Sequence, residues 1–134
     1  MCGLIGTICF DNNSFNALHW IEENIKLISY RGPDNKDIWF SNEESIALGH
    51  LRLSIQDLNK ESNQPFIIND NYILIFNGEI YNKSELKKHL LNIGVSFETN
   101  GDTEVLYLGL ISEGIEFANR IQGMFAFCFI DLKR

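Results

Sequence analysis

The chain has 134 residues, 45% hydrophobic and 22% charged, with a formal net charge of −7. That length suits one domain with a real core, and the composition argues against disorder. An acidic chain without clustered lysine or arginine argues against nucleic acid and anionic membrane as partners, because polyanions are held by basic patches.

Residues 3–10 (GLIGTICF) form an apolar, β-branched run ending at Asp11-Asn12-Asn13. The pattern predicts a buried strand, too short and without the basic flank needed for a membrane span or signal peptide. Ser14 is the predicted cap of a helix to about Ile28, with Ala17, Leu18, Ile21, Ile25 and Ile28 at helical spacing, stopped by Gly32-Pro33. Extended stretches follow near 37–41 and 45–55, then the polar segment 57–64. Residues 66–68 and 72–76 read as paired strands around Asn69-Asp70-Asn71. A short amphipathic helix is predicted over 83–91, capped by Asn82, and a second over 103–113, entered through Asn100-Gly101-Asp102. Residues 124–132 form a last apolar strand.

This order predicts an α+β fold of antiparallel sheets with helices packed outside them. No repeat, low-complexity tract or linker divides the chain. A strand as apolar as MFAFCFID belongs in a sheet interior, yet only a few residues follow it, so the chain is expected to be a fragment or truncated product. The three cysteines, Cys2, Cys9 and Cys128, form no C-x-x-C pair and meet no histidine at zinc spacing. Their odd number and that absence point to a reduced, cytoplasmic setting with no metal site.

Cys2 directly follows Met1, so removal of Met1 would leave a thiol and a free α-amine on one residue. A free thiol titrates at about 8.5 and an α-amine at about 7.7–8.0, which makes the pair a nucleophile with its own base near neutrality. Against this stands the plain reading of Cys2 as a small, half-buried residue opening a strand. Attack on an amide carbon also needs donors for the oxyanion and a grip on the substrate. Asn77-Gly78, after the run YILIF, offers a side-chain amide and a backbone N–H freed by glycine, although the same dipeptide is an ordinary turn signal. Arg52 sits in the apolar stretch LGHLRLSI, where a guanidinium needs an anion. That anion is either a carboxylate of the chain, Glu79 or Asp102, or one belonging to a ligand. Asp102 also reads as a helix cap or first-turn acid. His50, Cys9 and Cys128 read as packing residues.

These pieces occur within MCGLIG at 1–6, SYRGPD at 29–34, GHLRLSIQDL at 49–58, NQP at 63–65, FNGEIYN at 76–82, GDTEVL at 101–106 and GMFAFCFID at 123–131. In this order, covering nearly the whole chain, they resemble the N-terminal glutaminase domain of glutamine-hydrolysing asparagine synthetases, a class II amidotransferase of the N-terminal nucleophile type. The resemblance implies a four-layer αββα sandwich of antiparallel sheets, truncated at its C-terminal end. Residues 1–134 would be an incomplete type 2 glutamine amidotransferase domain without the synthetase domain.

It further implies that Cys2 is the nucleophile, with Asn77 and Gly78 as the oxyanion hole. Arg52 would hold the α-carboxylate of glutamine and Asp102 its α-ammonium group, assisted by Glu79. The backbone of Leu53, Ser54, Ile55 and Gln56 would line the pocket. The implied reaction is glutamine hydrolysis through a thioester, supplying ammonia for ATP-dependent amidation of aspartate. The glutaminase domain needs no cofactor and no metal; ATP and Mg2+ belong to the absent synthetase domain. L-glutamine and that domain are the implied partners, and a homodimer is admitted. Two other readings stay open: a non-catalytic glutamine-binding fragment, and a glutaminase serving a different acceptor.

Overall fold

The computed structural model describes residues 2–10, 15–41, 45–54, 63–68 and 71–133. The strands are β1 (Gly3–Ile8), β2 (Asn35–Phe40), β3 (Ile46–Arg52), β4 (Tyr72–Ile80) and β5 (Gly123–Asp131). The helices are α1 (Ala17–Asn24), α2 (Lys83–Asn92) and α3 (Asp102–Glu113), with 3-10 turns at Ile25–Arg31 and Ile115–Arg120. One sheet has the order β1-β3-β2 and the other pairs β4 with β5, with antiparallel neighbours throughout.

The apolar residues sort into layers because alternate strand residues point to opposite faces. Ala17 and Ile21 of α1 pack with Ala47, Ile5 and Ile38 on the outer face of the first sheet. Leu48, Leu4 and Trp39 on its inner face meet Ile73, Ile75, Cys128 and Ile130 of the second sheet. The other face of that sheet, through Leu74, Phe76 and Ile80, is buried against Leu86, Leu90, Val105, Leu106 and Leu110 of α2 and α3. The stack is helix, sheet, sheet, helix, the αββα sandwich that the resemblance implies.

Several local expectations differ. β4 does not end at Phe76 but continues through Asn77-Gly78 to Ile80, paired with β5 along its length. Glycine is required at 78 by close approach rather than by a bend, since a Cβ there would overlap the Met124 carbonyl and Phe125. Residues 66–68 make only a bridge, Phe66 with Leu74, through N–H to carbonyl bonds of 2.7 and 3.1 Å. The Ile68 N–H instead donates to the Tyr107 hydroxyl at 3.2 Å, so a phenol stands where a strand partner was expected. The expected turn residues Asn69 and Asp70 lie outside the described residues, as does the expected cap Ser14.

The cap of α1 is Asn16, whose Oδ1 accepts from the His19 N–H at 2.7 Å. Asn82 occupies the cap position of α2 without capping it. Its side chain instead accepts from the Gln122 N–H at 2.9 Å and donates to the Arg120 carbonyl at 3.0 Å, tying α2 to the approach to β5.

Candidate active site

The register of β1 on β3 pairs Gly3 with Leu51, so one residue further Cys2 lies opposite Arg52. The N–H of Leu53 donates to Cys2 Sγ at 3.4 Å. A backbone donor therefore faces the atom that must carry negative charge when it attacks a carbonyl. The SYRGPD turn fixes this end of the sheet. Arg31 Nε donates to the Cys2 carbonyl at 3.1 Å. Asp34 donates its N–H to the Arg52 carbonyl at 3.0 Å and accepts the Ser54 N–H on Oδ2 at 2.6 Å. Between them Gly32 lies so close to the Leu51–Arg52 backbone that a Cβ would overlap it. The strand end carrying Arg52, Leu53 and Ser54 is thus held from both sides. Ile55 and Gln56, expected to continue the pocket wall, lie outside the described residues.

Arg52 is 7% exposed, and its Nη1 donates to Asn63 Oδ1 at 2.5 Å. It shares the inner face of β3 with Leu48 and His50. His50 is buried, and among the described residues neither ring nitrogen makes a well-formed hydrogen bond. Burial pushes its pKa down to about 4; the Phe76 backbone opposes that shift and the Arg52 charge adds to it. The ring is therefore neutral near pH 7, a packing residue as expected. Cys128 lies in the inter-sheet core, where burial pushes its thiol up and away from reactivity.

Asn77 has the parity of Ile73 and Ile75, the β4 residues that face the first sheet, and so is directed to the same inter-sheet space as Cys2 and Arg52. Both Asn77 and Gly78 are half-buried, whereas Glu79 beside them is exposed. Asp102 is the first residue of α3, with Gly101 in the cap position. Its Oδ2 accepts the Ile80 N–H at 2.7 Å, and its Oδ1 pairs with Lys83 Nζ at 2.9 Å. Asp102 is thus joined to the end of β4 and the start of α2, and its partner cation is Lys83 rather than Arg52.

The loop entering α3 is held by a residue to which the sequence reading assigned no role. Glu104 is 1% exposed; its carboxylate accepts from the Glu98 N–H, the Thr99 N–H and the Thr99 hydroxyl, each at 2.7 Å. From outside, Lys87 Nζ donates to the Thr99 carbonyl at 3.0 Å and to Asn100 Oδ1 at 2.9 Å. Glu104 is the third residue of α3, but it reaches past the cap position, where Gly101 instead donates its N–H to Thr99 Oγ1 at 3.2 Å, so no capping-box pattern marked it in the sequence. Arg31 and Asp34 lay in a recognised motif without assigned roles. Asn63 carried no local signal, because its partner is set by the fold. An open depression on α1 beside Phe15, His19 and Trp20 lies on the outer layer and includes none of these groups.

The arrangement combines the Cys2 thiol with a backbone donor, a buried guanidinium at the end of β3, and a carboxylate at a helix N-terminus behind the second sheet. Such a set suits attack on a carbonyl of a small molecule bearing both charges. Comparison with known proteins identifies the family. A family model described as a glutamine amidotransferase domain matches residues 1–134. The glutamine-hydrolyzing asparagine synthetase 3 of Bacillus subtilis is 34% identical over 137 residues, spanning 100% of this chain and 22% of that protein. The glutamine-hydrolyzing asparagine synthetase 1 of the same organism is 40% identical over 132 residues, 95% of this chain and 20% of that protein. The chain thus spans about a fifth of the length of these curated relatives. Among solved structures, glutamine phosphoribosylpyrophosphate amidotransferase from B. subtilis superposes with a TM-score of 0.78 at 20% identity, covering 98% of this chain and 35% of that one. At that identity the likeness speaks for the fold.

Proposed function

The chain belongs to the glutamine amidotransferase domain family, and from that premise we propose that it hydrolyses the side-chain amide of glutamine at Cys2, as the ammonia-supplying part of an asparagine synthetase. Once Met1 is removed, the α-amine of Cys2 takes the thiol proton as sulfur attacks the amide carbon. The oxyanion forms against Asn77 and the Gly78 N–H. Collapse breaks the C–N bond, the protonated amine returns its proton to the departing nitrogen, and ammonia leaves a glutamyl thioester. Water then cleaves the thioester to glutamate and restores the thiol.

Arg52 holds the α-carboxylate, a planar anion that a guanidinium grips through paired N–H donors. Asp102, with Glu79, takes the α-ammonium group, for which Asp102 must share its oxygens with or exchange Lys83. The backbone of Leu53 and Ser54 lines the pocket. No cofactor enters this half-reaction; ATP and Mg2+ act with aspartate in a synthetase domain, and the protein works in the cytoplasm.

The observation that carries the reading is the Leu53 N–H facing Cys2 Sγ, with buried Arg52 ending β3 one residue before it. The test is covalent labelling with a glutamine analogue carrying an electrophilic ketone in place of the amide. Mass spectrometry should find the active protein without Met1 and labelled at Cys2, with glutamine protecting, and Cys2→Ala should release no ammonia. Retention of Met1 in active protein, or faster labelling at Cys9 or Cys128, would refute the mechanism. Specific glutamine binding without ammonia release would establish a binding module instead.

A further inference from the structure

Gln64 is 6% exposed, and both ends of its amide are used. Its Oε1 accepts the Phe76 N–H at 2.5 Å, and its Nε2 donates to Thr103 Oγ1 at 3.2 Å. Phe76 immediately precedes Asn77, and Thr103 immediately follows Asp102. The neighbour on its other side, Asn63, accepts from Arg52. Two adjacent residues therefore touch the three segments that carry the oxyanion donors, the amine-binding carboxylate and the carboxylate-binding guanidinium. Phe66 and Leu74 exchange main-chain bonds, but two residues further along β4 the Phe76 N–H is taken by a side chain.

We propose that Gln64 is a positioning residue that sets the spacing between the Asn77-Gly78 donors and Asp102, and so matches the site to the length of glutamine. The inference rests on the functional reading above. A substrate held at its head group reacts at its far end only if both grips are placed: misplacing the donors at the reacting end by about 1 Å costs about 100-fold in rate, and loosening the head-group grip costs affinity. β4 supplies the donors and α3 the carboxylate. Asp102 already touches the end of β4 through the Ile80 N–H. The Gln64 amide adds a second tie at Phe76, on the other side of Asn77-Gly78, so the separation is fixed at two points rather than hinged at one.

The two ends of the amide make separable predictions. Thr103→Val cuts the tie to α3 alone; the glutamine KM should rise about tenfold with kcat kept within about twofold, since the head-group grip is weakened equally in the ground and transition states. Thr103→Ser keeps the hydroxyl and should restore KM. Gln64→Met also frees the Phe76 N–H, and kcat should fall about 100-fold as the oxyanion donors lose their placement. These constants are measured by ammonia release from the whole protein, beside thermal melting. A merely structural role would lower the melting temperature and leave the KM of folded Thr103→Val at the wild-type value, and that result overturns the inference. Should Gln64→Met fail to fold, the Thr103 pair still decides the matter. If the unmodified protein releases no ammonia from glutamine, the functional reading falls and this inference with it. If it does, and Thr103→Val matches it, only the inference falls.

Discussion

Glu104→Gln keeps the shape of a buried side chain while removing the charge that holds the entrance to α3. In the structure one carboxylate oxygen takes both Thr99 donors and the other takes the Glu98 N–H. An amide has a single acceptor oxygen. Turned toward Thr99, it leaves its NH2 against the Glu98 N–H, donor against donor. Hydrogen bonds to a charged acceptor contribute roughly 1.5–3 kcal/mol, and neutral ones roughly 1. Weakening both Thr99 bonds and abolishing the third should cost about 3 kcal/mol locally. At 1.4 kcal/mol per factor of ten, that corresponds to about 100-fold more frequent opening of the loop. Hydrogen exchange reads this directly, because the Glu98 and Thr99 amides are themselves the donors. Their exchange should accelerate about 100-fold, while amides in the centre of β3 stay protected. Acceleration of less than about threefold would refute the idea that this carboxylate, rather than the Lys87 contacts, holds the loop.

His50 links stability to pH with a defined sign. Unfolded histidine binds a proton near 6.5, but burial lets the folded ring bind one only near 4. Between these values the unfolded state holds more protons, so this contribution is full above pH 6.5 and is lost as pH falls toward 4, by about 3 kcal/mol. Urea unfolding between pH 4 and 7 should show a steeper acid loss for the wild type than for His50→Leu; identical slopes would contradict it. Because neither ring nitrogen makes a well-formed hydrogen bond among the described residues, His50→Leu should cost little stability at pH 7. Gly32→Ala places a methyl group into the Leu51–Arg52 backbone. It should weaken glutamine binding by about tenfold or more by displacing Arg52 and Leu53, and calorimetry showing wild-type affinity would count against that role for the turn.

Much of the architecture was legible because its causes are local. The short apolar runs of β1 and β5 and the helical spacing of Ile21 and Ile25 are read from a few neighbouring residues at a time. The strand and helix order then leaves few ways to bury the apolar faces. Element ends were less legible. Asn77-Gly78 has the composition of a turn, and only the close approach of β5 at Met124 and Phe125 makes it the inside of a strand. Asn82 has the composition of a cap, yet the Gln122 N–H and the Arg120 carbonyl draw its side chain away.

The sequence by itself determined the chemistry on offer: a thiol one residue behind the start, an arginine stranded in an apolar strand, and an aspartate at a helix entrance. Tertiary structure alone decided who meets whom. Arg52 reaches Asn63, Asp102 pairs with Lys83, Glu104 turns back on Thr99, and Gln64 spans from Phe76 to Thr103. Propensity and periodicity act over one or two turns of chain. The partner of a buried polar group is set instead by which segments the packed layers bring within 3 Å or so, where every polar atom taken from water needs a mate.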